Sequence, residues 1–232
     1  MVGEKYLDLL RENILFKDLE EDKLPAFLTE FQEEVWPKNT CNISKTPTLF
    51  RFYIIAGGRV KIYRVDPQGG REFTMFLLTK NDVFDILCLL ENCEHRVFYE
   101  SLDEVVLLSV PIEIMRNWIR EYPQINKSLL PYMGKQIRAL EEYTSNVILA
   151  DISSRLAKLI LTHINHKSNK LELINDLTND ELANLIGSTR AVVNRHLQQF
   201  KKDGILKISR KKVEIQNLEL LLKQAEKNHS QD

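Results

Sequence analysis

The stretch that most constrains the fold runs from Leu177 to Ile215, because helices, a tight turn and a hairpin follow one another there with a start or stop signal at each joint. Thr178 opens a Thr-Asn-Asp-Glu run in which its side chain caps a helix while Glu181, three residues on, reaches back to the Thr178 amide. Leu182, Leu185 and Ile186 recur at helical spacing as far as Gly187, whose tolerance of positive φ suits a sharp turn. Ser188 is a second N-cap candidate. On a helix over 189–202, at about 100° per residue, Val192, Val193, His196, Leu197 and Phe200 share one side. Arg190, Ala191, Asn194 and Arg195 then fall within an arc of about 140° opposite them. Gly204 closes this helix, and Leu206, Ile208, Val213 and Ile215 alternate with polar residues around a basic tip of Ser209, Arg210, Lys211 and Lys212.

That order predicts a winged helix-turn-helix. Arginine offers a two-pronged donor to guanine, asparagine pairs with adenine, and a helix N-terminus attracts phosphate. Arg190, Asn194 and Arg195 are therefore candidates for reading base edges in double-stranded DNA, and Thr178, Ser188, Thr189, Lys207, Arg210 and Lys211 for touching its backbone. The plainer reading of the same face is a solvated helix surface. Against it stands a local charge excess: residues 178–217 hold eight Lys/Arg and four Asp/Glu, on a chain whose net charge is only −1.

A length of 232 residues with 44% hydrophobic content allows two cores. No run of 18 apolar residues occurs, and the first thirteen residues lack the basic start and apolar centre of a secretion signal, so a cytoplasmic protein with no membrane partner is expected. Cys41, Cys88 and Cys93 are too few for a disulfide scaffold and lack zinc-site spacing, so no metal is expected. Phosphate-loop, nucleophile-elbow and His-Glu-x-x-His patterns are also missing, which points away from an enzyme.

Upstream, Leu7, Leu10, Leu19, Leu24, Phe27, Leu28 and Phe31 suggest helices that cover a sheet, with a loop near residues 16–22. From Val35 to Val110 the rhythm is that of strands: Phe50, Phe52 and Ile54 alternate, Gly57-Gly58 turns, Val60 and Ile62 follow, and a second turn at 66–70 precedes Phe73, Met75 and Leu77. A buried-looking run, Val105 to Val110, leads to Pro111 in the first turn of a helix. Met133, Ile137, Leu140, Thr144 and Val147 then repeat at alternating four- and three-residue steps, the rhythm of a coiled-coil seam. The alternative is packing of this stripe on the chain's own barrel. Pro131 predicts a kink or restart, and Asp151 with Ser153-Ser154 a break near Ala150.

A β-roll containing Ile54-Ile55-Ala56-Gly57, a long helix with a dimer stripe, and the run Ile186 to Arg195 in a winged helix together resemble the CRP/FNR superfamily of bacterial transcription regulators, over nearly the whole chain. The resemblance implies an α+β fold: an N-terminal cyclic-nucleotide-binding-like antiparallel β-roll over 1–122, a dimerisation helix over 123–150 and a DNA-binding domain over 151–232. It implies a homodimer on a near-palindromic operator, with RNA polymerase as a further partner if the protein activates. Arg190 and Arg195 match the family's reading arginines, whereas Ala191 stands where members commonly carry an acidic residue, so the family's usual half-sites do not carry over.

In cyclic-AMP-binding members a Gly-Glu pair, an Arg-Ser or Arg-Thr pair and a Thr-Ser pair hold the nucleotide; here they fall on Asp85-Ile86, Arg96-Val97 and Leu140-Glu141. Only Arg96 keeps its chemistry, and no cyclic AMP response is expected. An iron–sulfur cluster of the family's kind needs four cysteines, which the chain does not have. Arg96 and Glu141 suit an anionic metabolite or a structural ion pair, and both readings stay open. Cys88, Cys93 and His95 leave a thiol switch or haem ligation open beside the plainer view of Cys88 as a core hydrophobe and Cys93 as a loop thiol. The effector-pocket candidates are thus Arg96, Ile86, Cys88, Cys93 and Glu141. A rival to the whole scheme is a small-molecule-binding module whose winged helix contacts protein.

Overall fold

The computed structural model describes residues 4–42, 50–84, 86–165, 170–171, 173–209 and 212–227. Asp85, Arg210 and Lys211, singled out above, lie outside them. The chain forms two compact units, Met1–Arg138 and Ala139–Asp232.

In the first unit, helices α1 (Leu7–Glu12) and α2 (Leu24–Glu30) precede β1 (Gln32–Trp36), β2 (Cys41–Asn42), β3 (Arg51–Gly57), β4 (Val60–Val65) and β5 (Glu72–Leu78). Helix α3 (Ile86–Glu91), strands β6 (Phe98–Ser101) and β7 (Val105–Pro111) and helix α4 (Ile112–Glu121) complete it, together with the first part of α5 (Pro123–Leu149). The strands make two antiparallel sheets, ordered β1-β7-β3 and β2-β6-β4-β5.

Within the first sheet, β3 and β7 are buried on both faces, while β1 is largely exposed. Phe52 and Ile54 of β3, with Leu108 and Val110 of β7, join a core built with Leu10, Phe16, Phe27 and Trp118 from the helical side. Tyr53 and Ile55, with Val105 and Leu107, face the other sheet and pack with Trp36, Val60, Ile62, Phe84 and Tyr99. The alternation expected around Phe52 is therefore replaced by four buried residues in succession, and Phe50 precedes the strand, exposed at 63%. A strand covered on both sides has no polar face to alternate with. Inside the roll, Phe84 and Tyr99 stack with ring centroids 5.2 Å apart, and Tyr53 and Trp36 border Phe84.

Helix α5 runs through Pro131, its one internal proline, without restarting there. Pro131 and Lys127, whose carbonyl loses its helical donor there, are both on the exposed side, where water can satisfy that oxygen. The buried side of this half, Ile125, Leu129 and Tyr132, belongs to the helical core. Met133 is half-buried against the same core, so the exposed part of the expected stripe begins at Ile137. Ile137 is 57% exposed, Leu140 38% and Val147 37%. The Thr144 hydroxyl donates to the Leu140 carbonyl at 2.8 Å, which lets a polar residue lie in an apolar stripe.

In the second unit, the end of α5 is followed by α6 (Ile152–Thr162), β8 (Ile164–Asn165), β9 (Lys170–Leu171), α7 (Asn179–Ile186), α8 (Arg190–Lys202), β10 (Leu206–Ser209), β11 (Lys212–Ile215) and α9 (Leu218–Ala225). Asp151 caps α6 by accepting from the Ser154 amide at 2.6 Å, so the expected break between helices falls at Ala150–Asp151. Strands β10 and β11 pair as the expected hairpin, and β9 and β8 extend it to four strands in the order β10-β11-β9-β8. Among the described residues no helix is long and apolar enough to cross a membrane.

Burial lowers the pKa of His163 at the end of α6, and His196 on α8 is lowered by burial first and then by the neighbouring Arg195 charge, against the opposing pull of Asp151. Each group binds its proton more weakly folded than unfolded, so stability is undiminished above the unfolded value of about 6.5 and falls as pH drops below it. Thermal denaturation followed from about pH 7.5 to about pH 5.5 should show this decline, and His163→Gln should make it shallower. An unchanged pH dependence in that variant would contradict the assignment.

Candidate nucleic-acid interface

The geometry of the interface begins at Thr178. Its Oγ accepts from the Glu181 amide at 3.2 Å while the Glu181 carboxylate accepts from the Thr178 amide, the reciprocal cap expected from the sequence. Two of the orphan amides at the start of α7 are thereby satisfied. At the other end Gly187 adopts φ 65°, and the Gly187 and Ser188 amides both return to the Ala183 carbonyl. The chain reverses within these residues because the left-handed conformation is inexpensive for glycine.

The turn shifts the second cap by one residue. Thr189, extended at φ −116°, is the N-cap of α8, and Ser188 is buried at 7% with its amide already engaged by Ala183. Ser188 is therefore corrected as the cap, and its side chain is buried in the single chain. Thr178 and Thr189 are exposed at the two helix starts, and Lys207 is exposed on β10.

Along α8, Val193, Leu197 and Phe200 are buried and Val192 and His196 half-buried, while Arg190, Ala191, Asn194 and Arg195 are exposed. The amphipathic division read from the sequence is the one in the structure. The exposed face goes further than the residues named there: Gln198, Lys201 and Lys202 are exposed too, and the same 100° spacing puts all three inside the arc. They extend the candidate surface by two turns and add two positive charges at its far end. No Asp or Glu lies between Arg190 and Lys202.

Two contacts tie this surface to the preceding helix. Arg190 Nη1 is 3.5 Å from Asp180 Oδ2, and Asn179 Nδ2 donates to Asn194 Oδ1 at 3.2 Å.

The turn is also held from behind. Arg155 of α6 donates to the Ile186 carbonyl at 2.9 Å, taking up one of the orphan acceptors at the end of α7. A Cβ placed on Gly187 would stand 2.9 Å from Tyr143 Oη, 3.6 Å from Arg155 Nη1 and 3.8 Å from Val147 Cγ2. Tyr143 and Val147, one helical turn apart on α5, thus lie directly against the turn that orients α8. Gly187→Ala should destabilise the second unit by about 1–2 kcal/mol from left-handed strain alone, with Tyr143 displaced in addition. A urea titration measures it, and an unchanged midpoint would contradict the tight approach.

The effector-pocket candidates have dissimilar surroundings. Cys88 is 1% exposed in the helical core, and Ile86 packs partly against that core, both at the start of α3. The Cys88 and Leu89 carbonyls accept from Arg116, at 2.8 Å and 2.9 Å. Cys88 is therefore a core side chain. Cys93 and Arg96 are exposed on the loop before β6, and the Cys93 thiol donates to Glu91 at 3.2 Å. Glu141 is exposed on the second unit.

Comparison with known proteins agrees with this geometry. Residues 37–122 match the profile of the cyclic nucleotide-binding domain and residues 154–224 that of the Crp-like helix-turn-helix domain. The chain is 27% identical over 222 residues to the CRP-like cAMP-activated global transcriptional regulator of Mycobacterium tuberculosis, covering 94% of this chain and 99% of that one. It is 29% identical over 218 residues to the global nitrogen regulator of Synechococcus elongatus, covering 90% and 96%. Among solved structures, FixK2 of Bradyrhizobium japonicum superposes with a TM-score of 0.73 at 18% identity, over 84% of this chain and 96% of that one, a likeness of fold.

Proposed function

The chain belongs to the CRP/FNR superfamily of transcription regulators and carries its DNA-binding helix-turn-helix, and from that premise we propose that it reads a near-palindromic operator as a homodimer in the cytoplasm. The observation that supports this most is the exposed face of α8, basic and polar and free of acidic residues, behind which the glycine turn and capping box fix the helix. Arg190, Asn194 and Arg195 read base edges in the major groove, with Gln198 beside them. Thr178, Thr189, Lys201, Lys202 and Lys207 hold the backbone, joined by Arg210 and Lys211.

The stripe from Ile137 to Val147 is the dimer seam, and Met133 flanks it. Because Tyr143 and Val147 also lie beside the turn before α8, a change in how the paired helices lie against each other alters the presentation of both reading faces. When the protein activates, RNA polymerase is the second partner. Of the groups that hold a cyclic nucleotide in the resemblance, only Arg96 has matching chemistry, so cyclic AMP is not the proposed signal.

Salt dependence of binding to duplex DNA tests the reading. With about six or more phosphate contacts, affinity should fall about a thousandfold or more between about 50 and 200 mM salt. A winged helix that contacts only protein would give no such slope.

A further inference from the structure

We propose that Asn179 and Asp180, in the first turn of α7, are specificity-determining positioning residues that orient Asn194 and Arg190 of the neighbouring helix for base reading. This rests on α8 being the reading helix. Two contacts from consecutive residues converge on two readers: Asp180 Oδ2 is 3.5 Å from Arg190 Nη1, and Asn179 Nδ2 donates to Asn194 Oδ1 at 3.2 Å. The turn that carries them is fixed, because Thr178 and Glu181 on either side are locked in the capping box. Glu181 is committed to the Thr178 amide, and α8 has no acidic residue of its own, so the carboxylate beside Arg190 comes from Asp180.

The magnitudes decide what these contacts do. The side chains of Arg190 and Asp180 are 72% and 61% exposed, and an ion pair that open contributes little to folding. Its effect lies in the rotamers it removes. A carboxylate 3.5 Å from one terminal nitrogen biases the arginine toward rotamers that leave its other donors for the groove, so less freedom is lost on docking. For Asn194 the effect is one of polarity. With Oδ1 taken by the Asn179 donor, the amide is set with its NH₂ on the other arm, which suits a base acceptor such as purine N7.

The experiment measures the affinity of wild type, Asp180→Asn and Asn179→Asp for the selected operator and for every single-base variant of one half-site. Asp180→Asn should lower discrimination at the base pair read by Arg190 by about threefold to tenfold, part of the value of a bidentate contact, and leave the Arg195 base pair unchanged. Asn179→Asp accepts where Asn179 donates, so the Asn194 amide should turn over and its base preference should move toward bases that donate, adenine N6 or cytosine N4. A uniform change at all base pairs would make these residues bulk charge near phosphate and would overturn the proposal, as would unaltered preferences in both variants. Sequence preference in wild type is the separate control: without it the DNA reading itself fails, and this inference with it.

Discussion

Replacing Leu140 by glutamate should leave the protein monomeric and lower its operator affinity by about a hundredfold or more, since two linked half-sites become two independent ones. Leu140 is the centre of a stripe in which Ile137 is 57% and Val147 37% exposed on the single chain, an unusual state for three apolar residues at coiled-coil spacing. Covered by the same stripe of a second chain, they form the kind of seam that two helices need. A glutamate there would bury a carboxylate without a partner, against a like charge from the other chain. Leu140→Met, which keeps volume and apolarity, should remain dimeric. Sedimentation velocity distinguishes the two variants, and a dimer that survives Leu140→Glu would mean that another surface joins the chains.

Arg195→Ala should cost about 1–3 kcal/mol at each half-site and relax the preference at one base pair, with the salt slope nearly unchanged. Arg195 is exposed in the second turn of α8, directly after Asn194 and on the opposite side from Val193 and Leu197. Lys207→Ala supplies the contrast. On the proposed reading this variant removes a phosphate-binding cation from β10, so it should weaken affinity for all sequences alike and reduce the salt slope by about one. Fluorescence anisotropy on the operator and on scrambled duplex measures both variants. Equal weakening on the two duplexes for Arg195→Ala would turn its assignment from a base contact into a backbone contact.

Much of the second unit is legible in the sequence because its signals are local. A capping box, a glycine turn and a 3.6-residue repeat each lie within a few positions, and α7, Gly187 and α8 follow them. The cap of α8 stands one residue beyond the Ser188 that the sequence suggests, because the helix starts at Arg190 after an extended Thr189, a boundary that residue type does not reveal. Strands β8 and β9 are two residues each, too short for any period to register. The run Phe52-Tyr53-Ile54-Ile55 reads like part of an alternating strand, yet it separates two cores, and what covers its second face is set by residues distant in the chain. Gln198, Lys201 and Lys202 follow from the same angular spacing that identifies Arg195, once the arc is extended past the second turn of α8. The Asp180–Arg190 and Asn179–Asn194 contacts join residues 10 and 15 positions apart across a turn, so only the three-dimensional packing of α7 on α8 shows them.

In vitro selection of duplex DNA from a random pool by the purified chain tests the central claim most directly. The account predicts a two-fold symmetric motif whose half-sites lie about one helical turn apart, near ~10 base pairs centre to centre, retained by two chains. Enrichment of a single asymmetric half-site, or of no sequence at all, would contradict paired reading by the helix from Arg190 to Lys202.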